Sequence, residues 1–246
     1  MNLSQILSRV LLASSVATII PLSAFGGGGL SRDGQDVSFM YDNGKFLSVT
    51  LRQVTPSITG SSYSPPPTPA PASIPTSAIP EYSTYNVNYR QDAGESTGLG
   101  LQIRTPIGGD LAYPAGTVLA GTSIDYNSQA VSILGSYDQS RNLRFIGGFT
   151  SQSQDATVSV PFQDYQAAAS KASGTGFIAG AAYSIPEIAF RVSGTYFSSI
   201  DTEHPTTETT TLTGTIPSVT SITAPTGFNF DIRSGIMENT VAYASV

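Results

Sequence analysis

The chain has 246 residues and carries 11 Lys and Arg against 17 Asp and Glu, which gives a net charge of −6 at pH 7. This acidic balance, without a basic cluster, gives little support to nucleic-acid binding, and the absence of cysteine excludes a disulfide scaffold and a thiolate metal site. Only 11% of the residues are charged, and Gly, Ser, Thr and Tyr are abundant instead. This composition suits a β-sheet with one apolar and one wet face. Disorder is the competing interpretation, but 12 Tyr and 11 Phe are too many for a disordered chain.

The N-terminus has the features of an export signal. Arg9 precedes the apolar run Val10 to Ile20, Pro21 breaks that run, and Ala24 offers a small residue for cleavage. The run is too short to cross a bilayer as a helix, which takes about 20 residues. We therefore predict a secretory signal peptide over residues 1–24. The alternative is an amphipathic helix that belongs to the fold.

From Lys45 onward, apolar and polar residues alternate with the period of a β-strand. The pattern predicts nine strands, near residues 45–54, 81–90, 98–106, 123–137, 142–153, 175–185, 187–200, 227–236 and 239–246. The polar face of these strands carries a row of arginines, namely Arg90, Arg104, Arg144, Arg191 and Arg233. Periodicity alone leaves a soluble β-sandwich and a membrane β-barrel both open.

The lengths of the connections decide between these two folds. Long connections at 55–80, 107–122, 154–174 and 201–226 alternate with short ones at 91–97, at 138–141, at Pro186 and at Met237-Glu238. Long external loops that alternate with short periplasmic turns are typical of a transmembrane barrel. Within the long connections, the segment 154–174 could form a short helix with an apolar side, and His204, the single histidine, is expected in an exposed loop.

The predicted strand count is odd, whereas bacterial barrels close with an even number of strands. We therefore expect the chain to be truncated at its C-terminal end; the alternative is eight strands with a misread tail. A barrel with two unpaired edges would not form a functional channel in lipid. Heat-modifiable migration of this chain on a gel would contradict that expectation.

Several stretches resemble the FadL/TodX-type outer-membrane transporters of long-chain fatty acids and hydrocarbons. Gly28 to Gln35 is similar to the Gly-Gly-x-Asp-Arg-Ser-Gly-Gln opening of one branch of that family, with the Asp and the Ser exchanged at Ser31 and Asp33. The likeness covers most of residues 26–246. Its other parts are Phe46 to Gly60, Tyr113 to Thr117, Ala181 to Val192 and Phe228 to Val246. The Asn-Pro-Ala hatch motif of the better-known branch is absent.

The resemblance implies an all-β fold, an antiparallel transmembrane β-barrel with an N-terminal plug, of which this chain would hold about nine of 14 strands. The implied organisation is a signal peptide at 1–24, a hatch or plug at 25–44 and an incomplete barrel at 45–246. The expected hatch residues are Gly28, Gly29, Arg32, Gly34 and Gln35. A lateral gap would lie at a kinked third strand, Gly98 to Pro106, although its glycines also fit an ordinary tapered strand.

The expected function is uptake of long-chain fatty acids or other hydrophobic small molecules by a monomer embedded in outer-membrane lipid. Phe162 and Tyr165 are candidates for external capture, and Arg104 or Arg144 could pair with a carboxylate; solvated interior charges are the alternative for both arginines. A general diffusion porin and a structural or adhesive surface protein stay open as other functions. No enzyme, cofactor or metal is expected, because His204 lacks a predicted orienting partner and the four glycines lack the Lys-Ser/Thr of a phosphate loop.

Overall fold

The structure is a computed structural model that describes residues 32–57, 60–61, 73–74, 78–115, 117, 119–237 and 240–246. The predicted signal peptide and two of the predicted hatch residues, Gly28 and Gly29, lie outside these residues. In the part that is described, no helix combines the length and the apolar character needed to cross a membrane.

The described residues form β-strands joined by turns and three short 3-10 helices. The strands are β1 (Phe46–Val54), β2 (Gly60–Ser61), β3 (Ser73–Ile74), β4 (Tyr82–Asp92), β5 (Thr97–Arg104), β6 (Gly109–Ala112), β7 (Ser123–Asp138), β8 (Leu143–Val160), β9 (Tyr165–Ile185), β10 (Phe190–Phe197), β11 (Ile200–Thr210), β12 (Gly214–Ala224), β13 (Gly227–Met237) and β14 (Thr240–Ser245). The 3-10 helices are Ser38–Tyr41, Pro161–Gln163 and Pro186–Ile188.

One curled antiparallel sheet contains the nine predicted strands. Its order is β1-β4-β5-β7-β8-β9-β10-β13-β14, so most chain neighbours are also sheet neighbours. The remaining strands lie off this path: β6 pairs with β7, β11 pairs with β9 and β12, and β2 pairs with β3 in a sheet of two. The predicted fold class, an antiparallel barrel-type sheet, is confirmed, and within the described residues β1 and β14 form its two edges.

The two faces of the sheet differ in the way that the alternation predicts. Its convex face carries large exposed apolar side chains, among them Leu51 at 79% and Phe149 at 76% exposure. Its concave face carries buried polar side chains, such as Gln102, Ser132 and Thr150. A soluble sandwich would cover the apolar face with a second sheet, and no such sheet is present among the described residues.

The segment 154–174 contains no α-helix and is not a long connection, so the prediction of a connection over these residues was wrong. It completes β8 and begins β9, which together form a long hairpin with the 3-10 turn Pro161–Gln163 at its tip. Asp164 follows that turn in the left-handed conformation, which Asp adopts more readily than most residues. The segment 201–226 is likewise a hairpin, built from β11 and β12.

The prediction for His204 was also wrong, because the side chain is fully buried in β11. Gln154 lies opposite Ala172 whereas Ala156 lies opposite Ala169, so β9 carries one extra residue in a bulge. The His204 Nδ1–H donates to the carbonyl oxygen of Ser170 in this bulge at 2.9 Å, and Nε2 lies 2.9 Å from Thr202 Oγ1. One part of β9 pairs with β10 and another part pairs with β11. The histidine therefore links β11 to β9 close to the point where β9 changes its partner strand.

Replacing His204 with alanine is expected to lower the free energy of unfolding by about 1–3 kcal/mol, because it leaves the Ser170 carbonyl without its buried donor. Alanine at the neighbouring exposed Glu203 is the matched control and should change stability by less than about 0.5 kcal/mol. Urea unfolding of both variants measures the difference. Equal midpoints for the two variants would contradict this role of the histidine.

Candidate functional site

The concave face of the sheet holds the N-terminal segment 32–44, called here the plug. Its 3-10 helix Ser38–Tyr41 buries Phe39, Met40 and Tyr41 completely or almost completely. They and Val37 form one apolar cluster with residues of four strands, namely Leu134, Ile146, Ile178, Ala182 and Phe197. The core of the described protein therefore lies between the plug and the sheet.

Three strand glycines make room for the plug. A Cβ atom at Gly100 would lie 2.2 Å from the sulfur of Met40, and one at Gly227 would lie 2.2 Å from Gln35 Oε1. At Gly180 a Cβ atom would lie 2.3 Å from the Tyr41 hydroxyl. Glycine in a strand often marks the close approach of another chain segment, and here that segment is the plug.

Tyr41 fixes the end of the 3-10 helix to the sheet. Its hydroxyl lies 2.9 Å from Thr195 Oγ1 and donates to the carbonyl oxygen of Gly194 at 3.3 Å. Burial raises the pKa of Tyr41 to about 12, because the phenolate would lose its hydration in this position. The side chain is therefore a neutral anchor.

The arginines on the concave face all contact the plug. Arg90 donates to the Gly44 carbonyl oxygen at 2.7 Å, and Arg104 donates to the Asp33 carbonyl oxygen at 3.4 Å. Arg144 donates to the carbonyl oxygens of Met40 and Asp42 and to the Asn43 side chain, while its other nitrogens pair with Asp138. The plug makes few backbone hydrogen bonds to the strands, so its carbonyl groups need other donors. The charged guanidinium groups of the arginines are these donors.

A carboxylate of the plug pairs with the other two arginines. Asp42 Oδ1 accepts from Arg191 at 2.8 Å and from Arg233 at 3.0 Å. At the opposite end of the plug, Asp33 accepts from Arg52 at 2.8 Å and from Asn86 at 2.7 Å. Both ends of the plug are therefore held by charge-assisted hydrogen bonds, which are stronger than neutral ones.

The four predicted ligand-binding residues lie in two separate places. Arg104 and Arg144 point into the concave face, but the contacts of their guanidinium groups are to the plug and to Asp138. Phe162 and Tyr165 lie at the tip of the β8–β9 hairpin. Their binding roles stay predictions. Of the predicted hatch residues, Arg32 and Gln35 contact the sheet, and Gly34 is exposed.

The tips of two hairpins form a cleft of about 340 Å³ outside the plugged face. Phe162 is 55% exposed at one tip and Leu212 is 93% exposed at the other. Asp164 joins the tips by accepting from the Thr211 backbone N–H at 2.7 Å and from its hydroxyl. These hydrogen bonds lower the pKa of Asp164 below its ordinary value. The cleft itself is lined by Tyr165, Asp164 and neighbouring residues of both tips, whereas Phe162 and Leu212 lie beside it.

Within the described residues, β4 and β6 are not paired with each other, and the space between them is called here the window. In this part of the chain, strand β4 pairs with β5 from Asn86 to Asp92, and β6 pairs with β7. One edge of the window is the hydrogen bond from Thr105 N–H to the Tyr85 carbonyl oxygen at 3.1 Å. Its other edge is the bond from Ala112 N–H to the Ala78 carbonyl oxygen at 2.7 Å.

The window results from an interruption of the β-ladder after β5, near the predicted kink. After Arg104 the chain leaves the ladder, and between β5 and β6 the Ile107 N–H donates to Ser128 Oγ at 2.9 Å instead of to a strand carbonyl. Pro106 has no N–H to donate, which suits an interrupted strand. The two glycines of the predicted kink have another role, since Gly100 gives space to Met40 and Gly98 gives space to the Arg90 guanidinium.

Comparison with known proteins gives structural neighbours only. No protein-family model matches the sequence, and no curated protein matches it. The fold is similar to a FadL homologue of Pseudomonas aeruginosa (TM-score 0.56, 12% identity, 82% of this chain and 58% of that chain). It is also similar to the toluene transporter TbuX of Ralstonia pickettii (TM-score 0.59, 13% identity, 83% and 62%). A third neighbour is the toluene transporter TodX of Pseudomonas putida (TM-score 0.52, 13% identity, 89% and 67%).

The chain spans 58% to 67% of the length of these three solved proteins. At 12–13% identity the likeness concerns the fold. The described sheet, with a plug on its concave face, therefore has the fold of the FadL-type β-barrels.

Proposed function

We propose that the protein is an outer-membrane channel for the uptake of long-chain fatty acids or other hydrophobic small molecules. The observation that carries the proposal is a sheet whose apolar face is exposed while its polar face is closed by a plug. The structural neighbours support it, since they are a FadL homologue and two toluene transporters. In this proposal residues 25–44 act as the plug, residues 45–246 form the barrel wall, and the protein works as a monomer.

A band of apolar side chains on the convex face supports placement in a membrane. On β7 the outward positions run from Tyr137 through Ile133 to Val131, and then become polar at Gln129. Tyr137 and Val131 are about 20 Å apart along the strand at roughly 3.4 Å per residue. This distance is close to the apolar band of about 25 Å on outer-membrane barrels. The predicted signal peptide supports export to that membrane.

The positions of the short and long connections indicate how the sheet is oriented across the membrane. The turns 93–96, 139–142 and 186–189 lie at one end, next to Tyr137 and Tyr183. The hairpin tips with Phe162 and Leu212 extend from the other end, beyond the apolar band. Since outer-membrane barrels place their short turns in the periplasm, the hairpin cleft faces the cell exterior in this proposal.

A hydrophobic cargo fits the plugged face better than a polar solute does. A general porin needs a water-filled passage, whereas here the described plug packs into the concave face. An apolar surface at the hairpin tips supplies binding energy to an alkyl chain, at about 0.8 kcal/mol for each buried CH₂ group. Cargo would bind at the tips first and reach the interior when the plug moves.

Replacing both Phe162 and Leu212 with serine is expected to slow uptake at low cargo concentration by about tenfold, because the two side chains together lose roughly 1.4 kcal/mol of apolar contact with the cargo. The matched control replaces Val219, an exposed apolar residue on β12 away from the tips, with serine. Initial uptake rates of fluorescent oleate measure the effect. Equal rates for the tip and the control variants would contradict capture at the tips.

The full-length protein, reconstituted in liposomes, tests the function itself. We expect transfer of labelled oleate above the rate of protein-free liposomes, without swelling in sugar solutions. Swelling in sugar would instead identify a diffusion porin. Insertion into the bilayer with neither oleate transfer nor swelling would overturn the uptake function and favour a surface protein.

A further inference from the structure

The cleft between the two hairpin tips carries negative charge. Among the described residues that line it, Asp164 supplies a carboxylate and there is no lysine or arginine. Tyr165, which also lines the cleft, donates from its hydroxyl to Glu208 Oε2 at 3.1 Å, so a second carboxylate lies beside it. Hydrogen bonds from the Thr211 hydroxyl and backbone N–H lower the pKa of Asp164, and this group is therefore ionised at neutral pH.

Neither hairpin supplies a cation that could balance this charge. The hairpin of β11 and β12 contains no lysine or arginine from Ile200 to Ala224. On the other hairpin the first basic residue after Tyr165 is Lys171, about 20 Å away at roughly 3.4 Å per residue of strand. The Debye length is about 8 Å at physiological salt, so Lys171 is screened from the cleft.

The concave face does not offer an unoccupied cation to the cargo either. Arg90 pairs with Asp92 at 2.8 Å, and Asp42 pairs with both Arg191 and Arg233. The other two arginines of this face donate to backbone carbonyl oxygens of the plug. A cargo carboxylate would have to replace one of these partners, whereas an uncharged cargo would not.

We propose that this protein selects uncharged hydrophobic molecules over hydrophobic anions such as fatty-acid carboxylates, and that Asp164 and Glu208 make the selection at the cleft. This inference rests on the proposed uptake function and specifies its substrate class. Phe162 and Leu212, beside the cleft, contact the apolar part of either kind of cargo. The two carboxylates repel a negatively charged head group, while alcohols, esters and hydrocarbons meet no such repulsion.

The repulsion is large enough to measure. For a head group about 7 Å from each of two carboxylates in water, Coulomb's law with a Debye length of about 30 Å gives roughly fivefold weaker binding of an anion at about 10 mM salt. At about 0.15 M salt, screening reduces the factor to roughly twofold. Binding of an uncharged molecule should depend little on either charge or salt.

The experiment uses two probes with the same pyrene-labelled dodecyl chain, one ending in an alcohol and the other in a carboxylate. Fluorescence measures their binding to the full-length protein in a neutral detergent at about pH 8, where a carboxyl group is ionised. The readout is the ratio of the alcohol affinity to the carboxylate affinity, so that a change common to both probes cancels.

Replacing Asp164 with asparagine and Glu208 with glutamine should lower this ratio roughly fivefold at about 10 mM salt and roughly twofold at about 0.15 M. Both substitutions remove the charge but keep an oxygen that accepts from Thr211 or Tyr165. Asparagine also tolerates the left-handed backbone of position 164. The matched control is Glu203→Gln on the same strand as Glu208, about 20 Å from Thr209, which should keep the wild-type ratio.

An unchanged ratio in the double variant would overturn the selection by these two carboxylates, as would an equal fall in Glu203→Gln. A fall of the same size at both salt concentrations would also overturn it, because an electrostatic effect must be screened. Absence of binding of both probes to the wild-type protein would instead overturn capture at the cleft, which the proposed function assumes.

Discussion

Replacement of Arg144 with methionine is expected to weaken docking of the plug by about 1.5–3 kcal/mol, the usual contribution of hydrogen bonds made by a charged group. The guanidinium pairs with Asp138 and donates to the carbonyl oxygens of Met40 and Asp42. Methionine keeps much of the length of the side chain but none of its donors. Asp138 and two plug carbonyl groups would then be left in the concave face without their donor.

The same turn provides the control for this variant. Arg141 makes an ion pair with Glu187 at 2.8 Å, but its side chain is 77% exposed, and exposed pairs contribute about 0–1 kcal/mol. Hydrogen exchange of the amides of residues 38–44 measures plug docking. We expect faster exchange in Arg144→Met and wild-type exchange in Arg141→Met. Indistinguishable exchange in the two variants would show that the concave arginines do not hold the plug.

Replacement of Gly148 with alanine is expected to have the largest effect on the sheet itself. A Cβ atom at this position would lie 2.1 Å from the carbonyl oxygen of Ile133 and 2.9 Å from Leu134 Cα. Both are backbone atoms of β7, so no side-chain rotation relieves the clash. Forcing β7 and β8 apart should lower the free energy of unfolding by about 3 kcal/mol or more, at the upper end for overpacking.

The neighbouring Gly147 is the control, because alanine at this position has the general effect of alanine in a strand without the clash. A Cβ atom at Gly147 would meet nothing closer than 3.8 Å on the Ile178 carbonyl oxygen, so alanine should be tolerated there and could stabilise the strand by up to about 1 kcal/mol. Urea unfolding of the two single variants measures the difference. A Gly147→Ala variant as unstable as Gly148→Ala would contradict the close approach of β7 and β8.

The sequence pattern could predict the nine strands of the sheet because their two faces differ in hydrophobicity. On β8, Phe145 and Phe149 point outward whereas Arg144 and Thr150 point inward, so the period of two is visible. For the same reason, the alternation correctly predicts that the arginines lie on the polar face of the sheet, which is its concave face. Connection lengths then separated a barrel from a sandwich, a distinction that the alternation alone could not make.

The β11–β12 hairpin could not be predicted because polar residues occupy both of its faces. Along β11, Thr202, His204 and Thr206 are buried while Glu203 and Thr207 are exposed, so burial alternates but hydrophobicity does not. Pro205 further weakened the strand signal. The plug contacts were equally hidden, since nothing local pairs Asp42 with arginines about 150 and 190 positions away.

Contact of the convex face with lipid, while the concave face holds the plug, can be measured directly. The chain has no native cysteine, so a single cysteine at Ile133 or at the adjacent Ser132 can carry an environment-sensitive fluorophore without side reactions. In liposomes that contain nitroxide-labelled lipid, we expect strong quenching at position 133 and at Phe149→Cys, and weak quenching at position 132 and at Thr150→Cys. Equal quenching at neighbouring positions, or stronger quenching at 132 and 150, would show that the convex face does not meet lipid.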